Sequence, residues 1–143
     1  MELKTEIEIN ASSEAVWNLL TDTSSFPEWN PFIRRLQGDL KVGQKLTVFI
    51  QPSGTRGMEF KPVILKVDPN KELRWLGRLI LPGLFDGEHI FQIEPVGSGR
   101  VLFRQREIFS GIFVPLLKNS LNTDTRRGFN EMNQKLKELA EST

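Results

Sequence analysis

The run VPLLKNSLNTDTRRGFNEMNQKLKEL, from Val114 to Leu139, decides how the rest of this 143-residue chain is read. Val114, Leu117, Leu121, Phe129, Met132, Leu136 and Leu139 recur at spacings of three, four or twice four, which draws one apolar stripe along a long amphipathic helix. The other face carries Lys118, Arg126, Arg127, Glu131, Lys135 and Glu138, with Glu131 one turn ahead of Lys135 in the favourable ion-pair order. One face is dry and one is wet. Nearly everything upstream reads as strands, and a sheet with one apolar face must bury it against something. The predicted partner is this helix.

Working outward, Leu3, Thr5, Ile7 and Ile9 alternate with Lys4, Glu6 and Glu8, the pattern of a half-buried strand. Ser12 can cap a short helix that carries Glu14 near its positive end and Val16, Trp17 and Leu20 as an apolar patch. In Phe26-Pro27-Glu28-Trp29-Asn30-Pro31 two prolines confine the backbone while two aromatics demand burial, which predicts a short helical turn or an ordered loop. Six further strands are predicted at about 32 to 37, 45 to 51, 57 to 67, 72 to 80, 87 to 95 and 100 to 109. Turn residues such as Asp68-Pro69-Asn70 and Gly97-Ser98-Gly99 separate them, and connections this short predict an antiparallel meander. The expectation is a single α+β domain over residues 1–143, with seven strands and two short helices between strands one and two.

Composition narrows the function classes. Lysine and arginine number 19 against 18 acidic residues, so a net charge of +1 gives no footprint for nucleic acid or an anionic membrane. With no cysteine, thiol catalysis, disulfides and thiolate metal sites are excluded. No apolar run approaches the length of a membrane span, and Met1 to Glu6 lacks the apolar core of a signal peptide, so a cytoplasmic protein is expected. The common phosphate-binding, zinc-hydrolase and nucleophile motifs are missing.

The order strand, two short helices, six strands, long helix comes with specific stretches. They are Ala11-Ser12-Ser13-Glu14-Ala15-Val16-Trp17 after the first strand, Phe26 to Phe32 ahead of the second, Gly87-Glu88-His89-Ile90-Phe91, Arg106-Glu107-Ile108-Phe109-Ser110-Gly111, and Gly128-Phe129-Asn130-Glu131-Met132-Asn133. Over its whole length the chain resembles the SRPBCC superfamily of helix-grip folds. That group contains START-like lipid carriers, the birch-pollen-allergen type and the polyketide cyclase/dehydrase-like proteins, and the likeness is to small bacterial members of the last. The resemblance implies a curved seven-stranded antiparallel sheet wrapped around the C-terminal helix, crossing closely at Gly128, with a cavity between them. It does not choose among carrier, cyclase, receptor or stress-response roles.

Given that fold, alternation says which side chains point inward. On 100 to 109, Val101, Phe103 and Phe109 carry Gln105 and Glu107 with them; on 87 to 95, Phe91 and Ile93 carry His89. A tight turn at Gly97-Ser98 predicts Ile93 opposite Val101, Phe91 opposite Phe103 and His89 opposite Gln105, with Glu107 one diagonal step away. On 72 to 80, Leu73, Trp75 and Leu79 share a face with Gly77, whose missing side chain leaves space beside the indole.

The expected ligand-binding set is Trp29, Trp75, His89, Phe91, Phe103, Gln105, Glu107, Leu117 and Leu121. His89, the only histidine, is readable as a general acid or base held by Glu107, as a group that orients a ligand, or as a polar residue satisfied by Gln105 or Glu107. It is expected to matter to ligand binding more than to folding. Too few nitrogen and oxygen ligands converge for a metal, and no cofactor is expected. The lack of tyrosine removes a donor that a cyclase could use on a polyketide enol. Residues 80–85 and 112–114 are unusually apolar for connections, and read either as a lid or a membrane or partner patch, or as a plug of the barrel end. The functions carried forward are binding of a small hydrophobic or aromatic ligand, a cyclase or dehydratase using His89 and Glu107, and an interaction module without a ligand.

Overall fold

The computed structural model describes residues 1–79 and 81–142. In order, the elements are β1 (Glu2–Ile9), α1 (Ser13–Thr21), a 3-10 turn (Thr23–Ser25), α2 (Phe26–Trp29), β2 (Ile33–Gln37), β3 (Thr47–Ile50), β4 (Met58–Phe60), β5 (Val63–Asp68), β6 (Glu72–Arg78), β7 (Asp86–Gly97), β8 (Arg100–Ser110), α3 (Val114–Ser120), a π turn (Leu121–Thr125) and α4 (Arg126–Glu141). Ile80, the end of the predicted 72 to 80 strand and the start of the apolar loop, lies outside the described residues. Ser12 caps α1, its hydroxyl oxygen accepting from the Ala15 N–H at 3.1 Å.

The described residues form eight strands, not seven. The predicted 57 to 67 strand divides at Lys61-Pro62, because Pro62 has no N–H to offer a ladder. Its carbonyl instead accepts from the Leu46 N–H at 2.8 Å. The break separates a five-stranded sheet, β1-β8-β7-β6-β5, from a three-stranded one, β2-β3-β4, with a single bridge at Lys45 and Val63. All strand pairs are antiparallel. The result is a helix-grip fold, the sheet wrapped around the long C-terminal helix.

That helix runs on from Val114 to Glu141 but is not uniform. The Arg126 N–H donates to the Leu121 carbonyl five residues back, which makes one wide turn. Its effect is on phase. The eight residues from Leu121 to Phe129 overshoot two α turns by roughly 80°, and a turn that holds about one residue more absorbs the excess. Leu121 and Phe129 therefore face the same way and are both buried. The stripe differs from expectation at its ends: Leu117 is 38% exposed and Leu139 only half-buried, while Asn133 and Ala140 join the buried face. Lys135 pairs with Glu138 at 3.7 Å, and Glu131 instead accepts from the Ser53 hydroxyl at 2.8 Å.

The β7–β8 register also differs. Ile93 faces Phe103, Phe91 faces Gln105 and His89 faces Glu107, two residues from the predicted pairing. An irregularity between Pro95 and Gly97 moves the turn along the chain. A two-residue shift leaves every side chain on its face, so the inward set is unchanged. Outward, Arg104 lies between Glu6 and Glu94 and Arg106 pairs with Glu2, on the solvent side of the sheet.

Candidate functional site

Three cross-strand rows on the inner face build the site. The first runs Leu73, Phe91, Gln105, Thr5 across β6, β7, β8 and β1; the second Trp75, His89, Glu107, Leu3; the third Gly77, Gly87, Phe109. The third row explains why there is a cavity. Gly77 leaves the sheet bare where its neighbours carry rings, the Glu107 carboxylate lies over Gly87 opposite it, and a hollow of about 90 Å3 opens beside them. Trp75, Phe109 and Glu107 edge it from the large sheet, Val48 and Ile50 come from β3, Phe60 from β4 and Phe32 from just before β2, and Leu121 and Thr125 come from the π turn. Phe85 closes it, stacked on Phe109 at 5.6 Å between ring centroids.

Among the described residues, Glu107 is the only charged side chain on this lining. Behind it, His89 is wholly buried among Trp75, Phe91 and Phe129, its ring 4.2 Å from that of Phe91 and 5.0 Å from that of Phe129. His89 Nδ1 stands 3.4 Å from Glu107 Oε1. His89 Nε2 is 2.9 Å from Gln105 Oε1, and Gln105 Nε2 donates to Asn133 Oδ1 at 2.8 Å. Asn133 Nδ2 in turn donates to Thr5 Oγ at 2.9 Å. A buried chain of polar groups thus runs from β1 through α4 and β8 to β7, satisfying side chains that burial would otherwise penalise.

Of the residues expected at a ligand site, the structure brings Trp75, Glu107 and Leu121 to the cavity. His89, Phe91, Phe103 and Gln105 sit on the same face but are packed into the core behind it. Leu117 lines a neighbouring outer cleft of about 350 Å3, which shares the wall of Ile50, Phe60, Leu79, Phe85, Leu121 and Thr125 with the cavity. Trp29 lies on another surface, in a groove with Arg126, Arg127 and Asn130. Asn133 was missed, although its place between Phe129 and Leu136 puts it on the buried stripe. Phe32, Val48, Ile50 and Phe60 were missed as lining because nothing in their own periodicity says that the small sheet folds over the large one.

The apolar connections divide. Phe85 plugs the end of the cavity, whereas Leu81 and Ile112 are 60% and 68% exposed. Backbone bonds from Ile112 to Gly83 and from Phe113 to Leu84 hold the two stretches together. Among the described residues no group of His, Asp and Glu converges as a metal site, and no helix is long and apolar enough to cross a membrane.

Solved structures of the same shape span the chain. A protein from Mesorhizobium loti superposes with a TM-score of 0.77 at 22% identity, covering 100% of this chain and 98% of its own. Norcoclaurine synthase from Thalictrum flavum, solved with dopamine and hydroxybenzaldehyde, gives 0.74 at 17% identity over 99% of this chain and 87% of its own. A Streptomyces aromatase/cyclase gives 0.79 at 11% identity over 99% and 93%. At these identities the likeness is one of fold. No protein of curated function matches the sequence. The sequence family described as polyketide cyclase/dehydrase and lipid transport matches residues 1–141, and with nearly its whole length accounted for, the chain belongs to that family.

Proposed function

We propose that this chain binds a small, mostly apolar molecule, lipid-like or aromatic, with a polar end against Glu107 and its body running past Phe85 and Leu121 into the outer cleft. The observation that carries this reading is one carboxylate, with the Thr125 side chain as the second polar group, on a lining whose other side chains are apolar, where a ligand gains both burial and orientation. The hollow of about 90 Å3 is smaller than the roughly 150 Å3 void that holds benzene. A ligand therefore uses the cleft as well, or displaces Phe85. The test is native mass spectrometry and thermal shift with lipids and aromatic polyketides, on the wild type and on Gly77→Leu. A Cβ at Gly77 meets nothing closer than 3.8 Å, so a larger side chain can start there without a clash, on the wall of the hollow. Saturation at a hundred times the dissociation constant stabilises the wild type by about 2.7 kcal/mol. No shift with any apolar ligand, or an equal shift in Gly77→Leu, sinks the reading and favours an interaction module.

A second reading rests on the 3.4 Å approach of His89 Nδ1 to Glu107. In it the chain is a cyclase- or dehydratase-like enzyme, and the residue that touches substrate is Glu107, with His89 positioning it and exchanging its proton. The fold shared with the aromatase/cyclase and norcoclaurine synthase makes this worth testing. Turnover that disappears in Glu107→Gln while binding persists selects the enzyme; binding without turnover of any bound compound selects the carrier.

A further inference from the structure

We infer that Glu107 and His89 hold one proton between their facing atoms, so that the polar end of the cavity is uncharged overall and selects a neutral ligand oxygen, a hydroxyl or carbonyl, over an ammonium or a carboxylate. The selectivity rests on the binding reading above; the proton count does not.

The count follows from the hydrogen-bond chain, taken from its far end. The Phe129 carbonyl can only accept, and it lies 3.4 Å from Gln105 Nε2, so the amide nitrogen of Gln105 points to α4. Gln105 Oε1 must then face His89, and an amide oxygen can only accept, so His89 Nε2 carries a hydrogen. That leaves Nδ1. In a neutral ring with Nε2–H, Nδ1 is a bare lone pair, and the group it faces is a carboxylate oxygen. Two acceptors cannot satisfy each other, and Nδ1 is buried without a hydrogen bond to any group, Glu107 standing 3.4 Å away as its one polar neighbour of opposite sign. One proton resolves the conflict, either on the imidazole or on the carboxyl, and both placements give the pair a net charge of zero. No other charged side chain lines the cavity to balance an isolated carboxylate, and burying an unpaired charge is costly. A second proton would put two donors face to face, and none would leave an uncompensated anion.

An uncharged pair that can both give and take a hydrogen bond suits an oxygen that does the same. A ligand ammonium would require the shared proton to leave, and a ligand carboxylate would require another to arrive.

His89 is the only histidine, so ring-15N histidine NMR of the intact protein yields one assignable pair of signals. Near neutral pH we expect Nε2 protonated, together with either a protonated Nδ1 and an ionised Glu107 or an unprotonated Nδ1 and a Glu107 carboxylic acid, the latter read from its 13C carboxyl shift. An unprotonated Nε2, or zero or two protons on the facing atoms, overturns the inference and leaves the binding reading standing. The same spectra are then titrated with benzyl alcohol, benzylamine and benzoate. The alcohol is expected to bind at least tenfold tighter than the other two, and Glu107→Gln, neutral and of similar shape, to weaken it less than Glu107→Leu does. Tighter binding of benzylamine or benzoate overturns the selectivity. If none of the three binds while the single proton is seen, the binding reading falls and the selectivity with it, and the proton count stands.

Discussion

The ring of Phe32 occupies the space where a side chain at Gly128 would begin, so α4 meets the start of β2 with no room for a methyl group. Phe32 is 1% exposed and is held edge-on to Phe129 at 5.3 Å, which leaves it nowhere to withdraw. Gly128→Ala gains about 1 kcal/mol of helix propensity, yet overpacking here should outweigh it. The expected net loss is about 1 to 2 kcal/mol in urea unfolding. A more stable variant would show that the two elements can part.

His89→Ala should damage folding first. The ring it removes is enclosed by Trp75, Phe91 and Phe129, and Gln105 Oε1 loses its donor. Cavity and orphaned acceptor together are expected to cost about 2 to 4 kcal/mol. Glu107→Gln, beside a cavity, should cost less than about 1 kcal/mol, since its amide can still reach Nδ1. This inverts the expectation drawn from sequence, that His89 serves binding before folding. A small stability loss in His89→Ala with a fall in ligand affinity would restore the original order.

Gly87 keeps the Glu107 carboxylate in place, because a Cβ there would overlap its outer oxygen. That oxygen ends a flexible side chain, so Gly87→Ala should push the carboxylate off His89 at little cost in stability. The expected signature is a changed His89 ring-15N shift and weaker ligand binding with a melting temperature within a few degrees of wild type. An unchanged ring signal would mean the carboxylate has another place to go.

On the outer face, Glu72 sets an acid limit. Burial raises its pKa, but a hydrogen bond from Gln92 and the charges of Arg74 and Lys66 outweigh this and hold it below the ordinary 4.5. A carboxylate lowered by folding gives stability that is present above its unfolded value and lost as pH falls through its folded one. Urea midpoints should therefore fall as pH drops from about 4.5 downward, and Glu72→Gln should flatten part of that slope while lowering stability at pH 7. An identical slope in the variant would assign the acid loss to other carboxylates.

How far the sequence could be read depended on which side chains announce themselves by periodicity. β1, β7, β8 and α4 alternate or recur cleanly, so their inward faces, including His89, Gln105 and Glu107, were legible. The pairing between β7 and β8 was not, since an irregularity beside Pro95 shifts register without altering the pattern. The division of the 57 to 67 strand was not read either, although Pro62 carries its signal in the hydrogen bond it cannot make. The cavity itself was half legible. Gly77 marked one side, whereas Phe32, Val48, Ile50 and Phe60 reach it through the closure of one sheet over another, which no local pattern encodes.

The π turn has a consequence for how this chain can change length. Removing one residue from 122–125 would leave seven steps between Leu121 and Phe129, within about 20° of two α turns, so an ordinary turn would replace the wide one and Val114–Ser120 would keep its phase relative to α4. Val114 would stay in the core beside Leu121, and the same side chains would front the outer cleft. The five residues of the wide turn are thus the place where this helix can lose a residue without turning its two ends against each other, whereas a deletion within Arg126–Glu141 would turn one end by about 100°.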